Sequence, residues 1–290
     1  MDEYPHKPID LEKIRESLKG TEFLVAPPWY TPEKHALLME EASRLIVNYT
    51  AIFIVEAKWV ASGVFVNVGG MYGILTANHV AKPVMDSEAF ALNVSPHEHA
   101  FWQTPDKFQH IPIGVMNPDV SKQEFGPDLS FMRIVDPELL STLKSIKSFA
   151  YLGSVDTRVF TKPLASYQWF IAGSPNESFQ VVVPSSNPED VVRKTDNAAI
   201  EADVPDRVER GGYDYLQLGV SNGEGACPKD YGGMSGGGVW LIRLDITGED
   251  ENTLGFTPVL SGIVYHQSHV YPLRQQNLWV GFGSGRRPSV

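Results

Sequence analysis

A single cysteine, Cys227, stands in the 290 residues, so no intramolecular disulfide framework is available and the composition suits a reducing compartment. With no clear histidine partner of its own, Cys227 reads as a small buried thiol. Long apolar runs are also missing. Stretches such as "AIFIVEAKWV" break too soon to span a bilayer. The N-terminus, "MDEYPHKPIDLEKIRESLKG", is charged and has no apolar core, which argues against a secretory signal. These absences point to a cytoplasmic protein with no membrane partner. Basic clusters go no further than "GRRP" and "VRK" at a net charge of −11, so no nucleic-acid partner is expected. Neither a Gly-Lys-Ser/Thr phosphate loop nor a dinucleotide fingerprint occurs. His97 and His99 in "PHEHAFW" lack a further ligand set and read as a polar loop. No metal or organic cofactor is therefore expected.

What is present divides the chain near residue 48. The pattern predicts helices up to that point. "DLEKIRESL" spaces Leu11, Ile14 and Leu18 helically, and "TPEKHALLMEEASRLIVNY" offers Thr31 as N-cap and Pro32 at the first helical position. Leu37, Leu38, Glu41, Ala42, Leu45 and Ile46 then fall so that most apolar groups share one face. Residues 1–48 read as a helical extension joined internally by the Pro-rich "VAPPWYTP". From residue 49 to 290, short runs of β-branched and aromatic residues alternate with turn signals, as in "AIFIVEAKWVASGVFVNVGGMYGILTANHV". Similar runs recur at 111–116, 129–135, 148–153, 158–162, 167–173, 178–183, 215–220, 237–244, 258–265 and 278–282. The texture is all-β, a barrel or a sandwich. "DPELLSTLKS" reads as a short surface helix, and the charged stretch 184–212 as a long loop or insertion.

The stretch "KDYGGMSGGGVW", residues 229–240, sets five glycines around Ser235. Glycine loses the most chain entropy on folding, so the cluster needs a geometric reason. One reading is a flexible surface turn. The other is a backbone bent to aim N–H groups at an anion beside Ser235, as acyl transfer requires. "GMSGG" also fits the Gly-x-Ser-x-Gly elbow of α/β-hydrolases, but that motif needs a helix after the serine and an acid and a histidine further on. Here a strand-like "GGVWLIRL" follows, with too little chain beyond it. The α/β-hydrolase is excluded.

Two upstream patterns favour the second reading: "GILTANHV", ending a strand-like run at His79, and "GPDLSFMRIV", with Asp128 before an alternating run. In the order His79, Asp128, Ser235, these stretches resemble the trypsin/chymotrypsin-like serine peptidase family, specifically its intracellular, disulfide-free branch. "LTANHV" is similar to the family's Thr-Ala-x-His motif. "DLSFMRI" resembles Asp-Leu-Ala-x-x-Arg/Lys-Ile, with Ser130 where alanine is usual, and "GGMSGGGVW" resembles Gly-x-Ser-Gly-Gly. The resemblance covers about residues 50–283. It implies two six-stranded antiparallel β-barrels and a serine endopeptidase that forms an acyl-enzyme on specific protein targets. It further implies His79 as the base, Asp128 as its orienting carboxylate, Ser235 as nucleophile, and the N–H groups of Gly233 and Ser235 as the oxyanion hole.

Met234 departs from the pattern. Digestive members carry aspartate there, which pairs with a freshly cut N-terminus, and methionine cannot form that ion pair. The expectation is a site that is preformed or set by a regulatory partner protein. The substrate, a protein or peptide, would meet Lys229, Asp230 and Tyr231 on one side of the primary pocket and Tyr265, His266 and Gln267 on the other. Asp230 facing inward would favour a basic side chain, and Lys229 or His266 an acidic one; a one-residue register decides between them. The rival reading is a latent or inactive peptidase-like fold that acts as a protein-binding module.

Overall fold

In the computed structural model, which describes residues 30–55, 59–93, 101–113, 128–152, 167–178, 180–182, 192–194, 198–203, 206–210, 213–221, 228, 230–245, 255–270 and 275–281, β-structure dominates. The helix expected at 11–18, the run at 158–162, His97, His99, Cys227 and the C-terminal tail lie outside the described residues.

Thr31 opens helix α1 (Pro32–Val47) as the sequence predicts: its side chain accepts the Lys34 N–H, and Pro32 occupies the first turn, where a missing N–H costs nothing. Leu38, Met39, Ala42 and Ile46 are its buried face, whereas Leu37 is 63% exposed and lies off it. Next come β1 (Thr50–Val55), β2 (Trp59–Val68) and β3 (Met71–Thr76), then helix α2 (Asn78–Asp86). The first half continues with β4 (Phe90–Asn93), β5 (Phe101–Gln103), β6 (Phe108–Ile113), β7 (Leu129–Ile134), helix α3 (Pro137–Ile146) and β8 (Ala150–Tyr151). These strands form one sheet in the order β5-β4-β1-β2-β3-β7-β6, antiparallel except where β8 joins β2 in parallel.

A second antiparallel sheet follows, in the order β12-β9-β15-β16-β17-β14-β13. Its strands are β9 (Tyr167–Gly173), β12 (Ala198–Ala202), β13 (Asp206–Arg210), β14 (Tyr213–Ser221), β15 (Gly238–Asp245), β16 (Gly255–Val270) and β17 (Gln275–Gly281). β10 (Gln180–Val182) and β11 (Val192–Lys194) pair as a separate ribbon. The all-β expectation holds at this level. The strand numbers differ from two sets of six: the sheets carry eight and seven strands, and among the described residues no edge-to-edge pairing closes either. The stretch 184–212, expected as a long loop or insertion, is not all loop: it contributes β11, β12 and β13.

Among the described residues there are four buried clusters, the smallest of them Ile52, Ile54, Val60 and Ala91 on the first sheet, and the other three organise the packing. One packs α2 and α3 on the first sheet through Phe53, Phe65, Val80, Val84, Met132 and Leu143. Another lies within the second sheet and takes in Tyr231 and Met234. The remaining one joins both sheets through α1, with Ile46 and Ala42 among Val64, Phe131, Phe170 and Trp240. Far from hanging free, α1 is part of the inter-sheet core. Each fully buried aliphatic side chain there contributes about 1.5–3 kcal/mol.

Candidate active site

Helix α2 begins without help from its own cap position, because Ala77 has no side chain to offer the first N–H groups. Asp128, immediately before β7, supplies the missing acceptor across the sheet. Its Oδ1 accepts the His79 N–H at 2.9 Å, and its backbone carbonyl accepts the Asn78 N–H at 3.3 Å. The other oxygen, Oδ2, meets His79 Nδ1. One carboxylate therefore both caps a helix and turns the imidazole, leaving Nε2 outward. His79 is half exposed and Asp128 mostly buried, at 48% and 13% for their side chains.

Behind the pair runs a second polar chain. The buried Ser130 hydroxyl donates to Asn78 Oδ1 at 2.7 Å and lies 3.0 Å from His110 Nε2. Ser130 has one proton and has given it to Asn78, so His110 must donate through Nε2–H. Burial pushes His110 below the ordinary imidazole range, against an upward pull from the Asp86 carboxylate.

The turn carrying Ser235 is anchored at two apolar points. Tyr231 and Met234 are buried at 2% and 0% exposure among the second sheet's core residues, while Gly232, Gly233 and Ser235 between and beside them stay partly open. Met234 thus anchors the turn by packing.

The main chain between these anchors alternates. Gly232 N–H goes to Asp230 Oδ1 (2.9 Å), Met234 N–H to Tyr231 O (3.0 Å), Gly236 N–H to Val264 O (2.6 Å) and Gly237 N–H to Met234 O (2.8 Å). Among the described residues, the N–H groups of Gly233 and Ser235 have no acceptor. Their peptide planes are set from behind: the Gly232 carbonyl accepts the Asn176 N–H at 2.6 Å, and the Met234 carbonyl accepts that of Gly237. In a trans peptide the N–H opposes the C=O, so pinning these carbonyls directs both free N–H groups to the other side.

Glycine is required here for measurable reasons. Gly233 has φ +87°, and a Cβ on it would stand 2.5 Å from Ser174 O and 2.6 Å from Asn176 Oδ1. Gly236 has φ +85°, and a Cβ would strike the Ser62 carbonyl and the Thr76 hydroxyl. The turn is pressed directly onto β2 at Ser62 and onto the end of β3 at Thr76, and β3 leads through Ala77 to His79. Ser62 N–H donates to the Ser235 carbonyl at 3.0 Å, and Thr76 Oγ1 donates to the Ser62 carbonyl at 2.7 Å. The last link is open: among the described residues, neither the Ser235 hydroxyl nor His79 Nε2 has a hydrogen-bond partner.

The expected pocket residues are scattered. Lys229 lies outside the described residues. Asp230 is exposed and occupied with Gly232, and Tyr231 is a core residue instead of a lining one. Tyr265 sits at a bulge of β16, where the pairing steps from Val264↔Val280 to His266↔Trp279, and its ring packs 5.7 Å from that of Tyr215. His266 and Gln267 follow on the same strand, their side chains outside the described residues. Sequence reasoning missed Ser62 and Asn176, and it marked Thr76 only as part of "LTANHV", with no role of its own. The small-residue pair Ser62-Gly63 inside the apolar run "WVASGVFV" was the one available signal.

Among the described residues no group of three or more metal-ligating side chains gathers, and no helix is long and apolar enough to cross a membrane. No protein-family profile matches the chain, and no curated protein is similar to it in sequence. Among solved structures, human heparin binding protein is similar to it with a TM-score of 0.39 and 10% sequence identity, over 83% of this chain and 88% of that one. The functional reading rests on the residues themselves.

Proposed function

We propose that the chain is a trypsin-like serine endopeptidase, built on two barrel-like sheets, with His79, Asp128 and Ser235 as its catalytic triad. The observation that carries this reading is the alternation around Ser235: among the described residues, the N–H groups of Gly233 and Ser235 are left without acceptors while those of Gly232, Met234, Gly236 and Gly237 are engaged. Two fixed donors beside one hydroxyl are what a tetrahedral oxyanion needs.

The chemistry follows from roles already visible. Ser235 Oγ attacks the scissile carbonyl as His79 Nε2 takes its proton; the carbonyl π-electrons move onto oxygen, which lies against the two N–H groups. Collapse breaks the C–N bond, and His79 returns the proton to the leaving amine. Water, activated by the same imidazole, then cleaves the acyl-enzyme. Asp128 keeps Nδ1–H engaged, so that Nε2 is the free base, and it stabilises the imidazolium. Burial of Met234 supports a turn formed without a cut N-terminus. The protein or peptide substrate belongs to the face carrying Asp230 and β16.

The open link between His79 and Ser235 favours a second reading: a peptidase-like fold that is latent, or serves as a protein-binding module, until a partner closes it. Reaction with a fluorophosphonate probe separates the two. Labelling of the native chain that is lost in Ser235→Ala supports the enzyme. A native chain that stays unlabelled from pH 6 to 9 refutes it and leaves the binding module.

A further inference from the structure

We infer that Ser62 is a positioning residue for the oxyanion donors, an inference that rests on Ser235 being the nucleophile. Ser62 lies mid-strand in β2, opposite Ile52 of β1, with 0% exposure. A serine at such a site in an apolar run has no business with solvent, and all four of its polar connections lead elsewhere than along the strand pair. Its N–H donates to the Ser235 carbonyl (3.0 Å) and its carbonyl accepts the Thr76 hydroxyl (2.7 Å). Its hydroxyl donates to the Gly233 carbonyl at 2.8 Å and accepts the Ser174 N–H at 2.9 Å. The single hydroxyl proton is therefore committed to Gly233, which fixes the direction of the bond. Room for this side chain is left by Gly173, whose Cβ would stand 2.8 Å from Ser62 Oγ.

The Gly233 carbonyl belongs to the peptide plane between the two that carry the free N–H groups. Rotation of that plane alters ψ of Gly233 and φ of Met234, and so swings both donors. Gly233, at φ +87° and without a Cβ, has little local resistance to such a rotation. The Ser62 hydroxyl supplies it from outside, on a strand of the first sheet, while Ser174 at the end of β9 ties the same hydroxyl to the second sheet. Ser62 touches neither substrate nor reacting atom. It acts through the turn.

The test is the kinetics of Ser235 phosphonylation by a fluorophosphonate, whose phosphonyl oxygen lies where the oxyanion would. Ser62→Ala should lower kinact about 10–100-fold, less than deleting a donor outright, with KI within twofold. Ser62→Thr, which restores the hydroxyl, should recover most of the rate. A folded Ser62→Ala with native kinact overturns the inference, as does an equal loss in Ser62→Ala and Ser62→Thr. Should Ser62→Ala fail to fold, Ser62→Cys keeps the volume and weakens the donor: a reduced kinact supports the role, and a native one overturns it. Ser235→Ala is the control. Labelling that survives in Ser235→Ala sinks the nucleophile itself, whereas labelling lost there but unchanged in Ser62→Ala sinks the positioning role alone.

Discussion

Three glycines form a graded series that tests how tightly the Ser235 turn is seated. Gly255, at the start of β16, has no atom within 4 Å of where a Cβ would go and does not adopt the left-handed region. Gly255→Ala should therefore be neutral or stabilise by up to about 1 kcal/mol through the unfolded chain. Gly69, between β2 and β3, has φ +57° but equally open surroundings. Gly69→Ala isolates the backbone term, about 1–2 kcal/mol. Gly236 combines φ +85° with a Cβ that would meet the Ser62 carbonyl and the Thr76 hydroxyl. Neither neighbour can retreat cheaply, because Ser62 is held by Ser235 and Gly233, and Thr76 by Ser62. Overpacking adds about 1–3 kcal/mol to the backbone cost, so Gly236→Ala should lose about 2–5 kcal/mol in all. Urea unfolding followed by tryptophan fluorescence reads all three, with m unchanged if each variant alters only the native state. If Gly236→Ala unfolds within about 0.5 kcal/mol of Gly69→Ala, the turn is not pressed on β2 and β3, and the argument that pins its N–H groups fails with it.

Lys147 is buried at 8% exposure, with Nζ 3.3 Å from the Val47 carbonyl at the end of α1, and desolvation lowers its pKa from 10.5 to about 8. The unfolded chain then holds more protons than the native one between these values, so stability should rise with pH, by about 2 kcal/mol from pH 8 to 10. Chemical denaturation across that range should show the rise, and Lys147→Met should flatten it. Tyr30 and Tyr49, whose pKa values burial raises, act in the opposite sense, but above pH 10. On the acid side, His110 contributes stability that is lost as pH falls below 6.5, since its folded pKa is lowered; a His110→Gln chain should lose less over pH 7 to 5. Asp128→Asn keeps an acceptor for the His79 N–H but reverses the tautomer at Nδ1. The labelling rate of Ser235 should drop about 10⁴-fold while the fold survives. Ser130→Ala removes the acceptor of His110 Nε2–H inside the sheet and should cost about 1–3 kcal/mol in thermal or urea unfolding.

What the sequence made legible follows a physical line. Thr31-Pro32 is a local capping device and predicts its own helix; β7 and β9 fall at 129–134 and 167–173 because short runs rich in apolar and aromatic residues mark strands even where a polar residue interrupts them. Helix α2 was hidden by the opposite circumstances: Ala77 cannot cap, Pro83 sits inside the helix, and the acceptor that starts it, Asp128, is 49 positions away. β12 and β13 do not stand out as strands in the sequence because they are the two edges of the second sheet, where "AAIEA" and "DRVER" carry the charges that keep edges from pairing further. The pocket register stays open in the sequence for a definite reason, since the bulge at Tyr265 resets the alternation on which an inward or outward reading of β16 depends. His79 and Asp128 could be paired from motif order, but Ser62 could not be found that way. Its claim comes from four hydrogen bonds to residues 14 to 173 positions distant, and no periodicity in a sequence encodes where a hydroxyl's single proton goes.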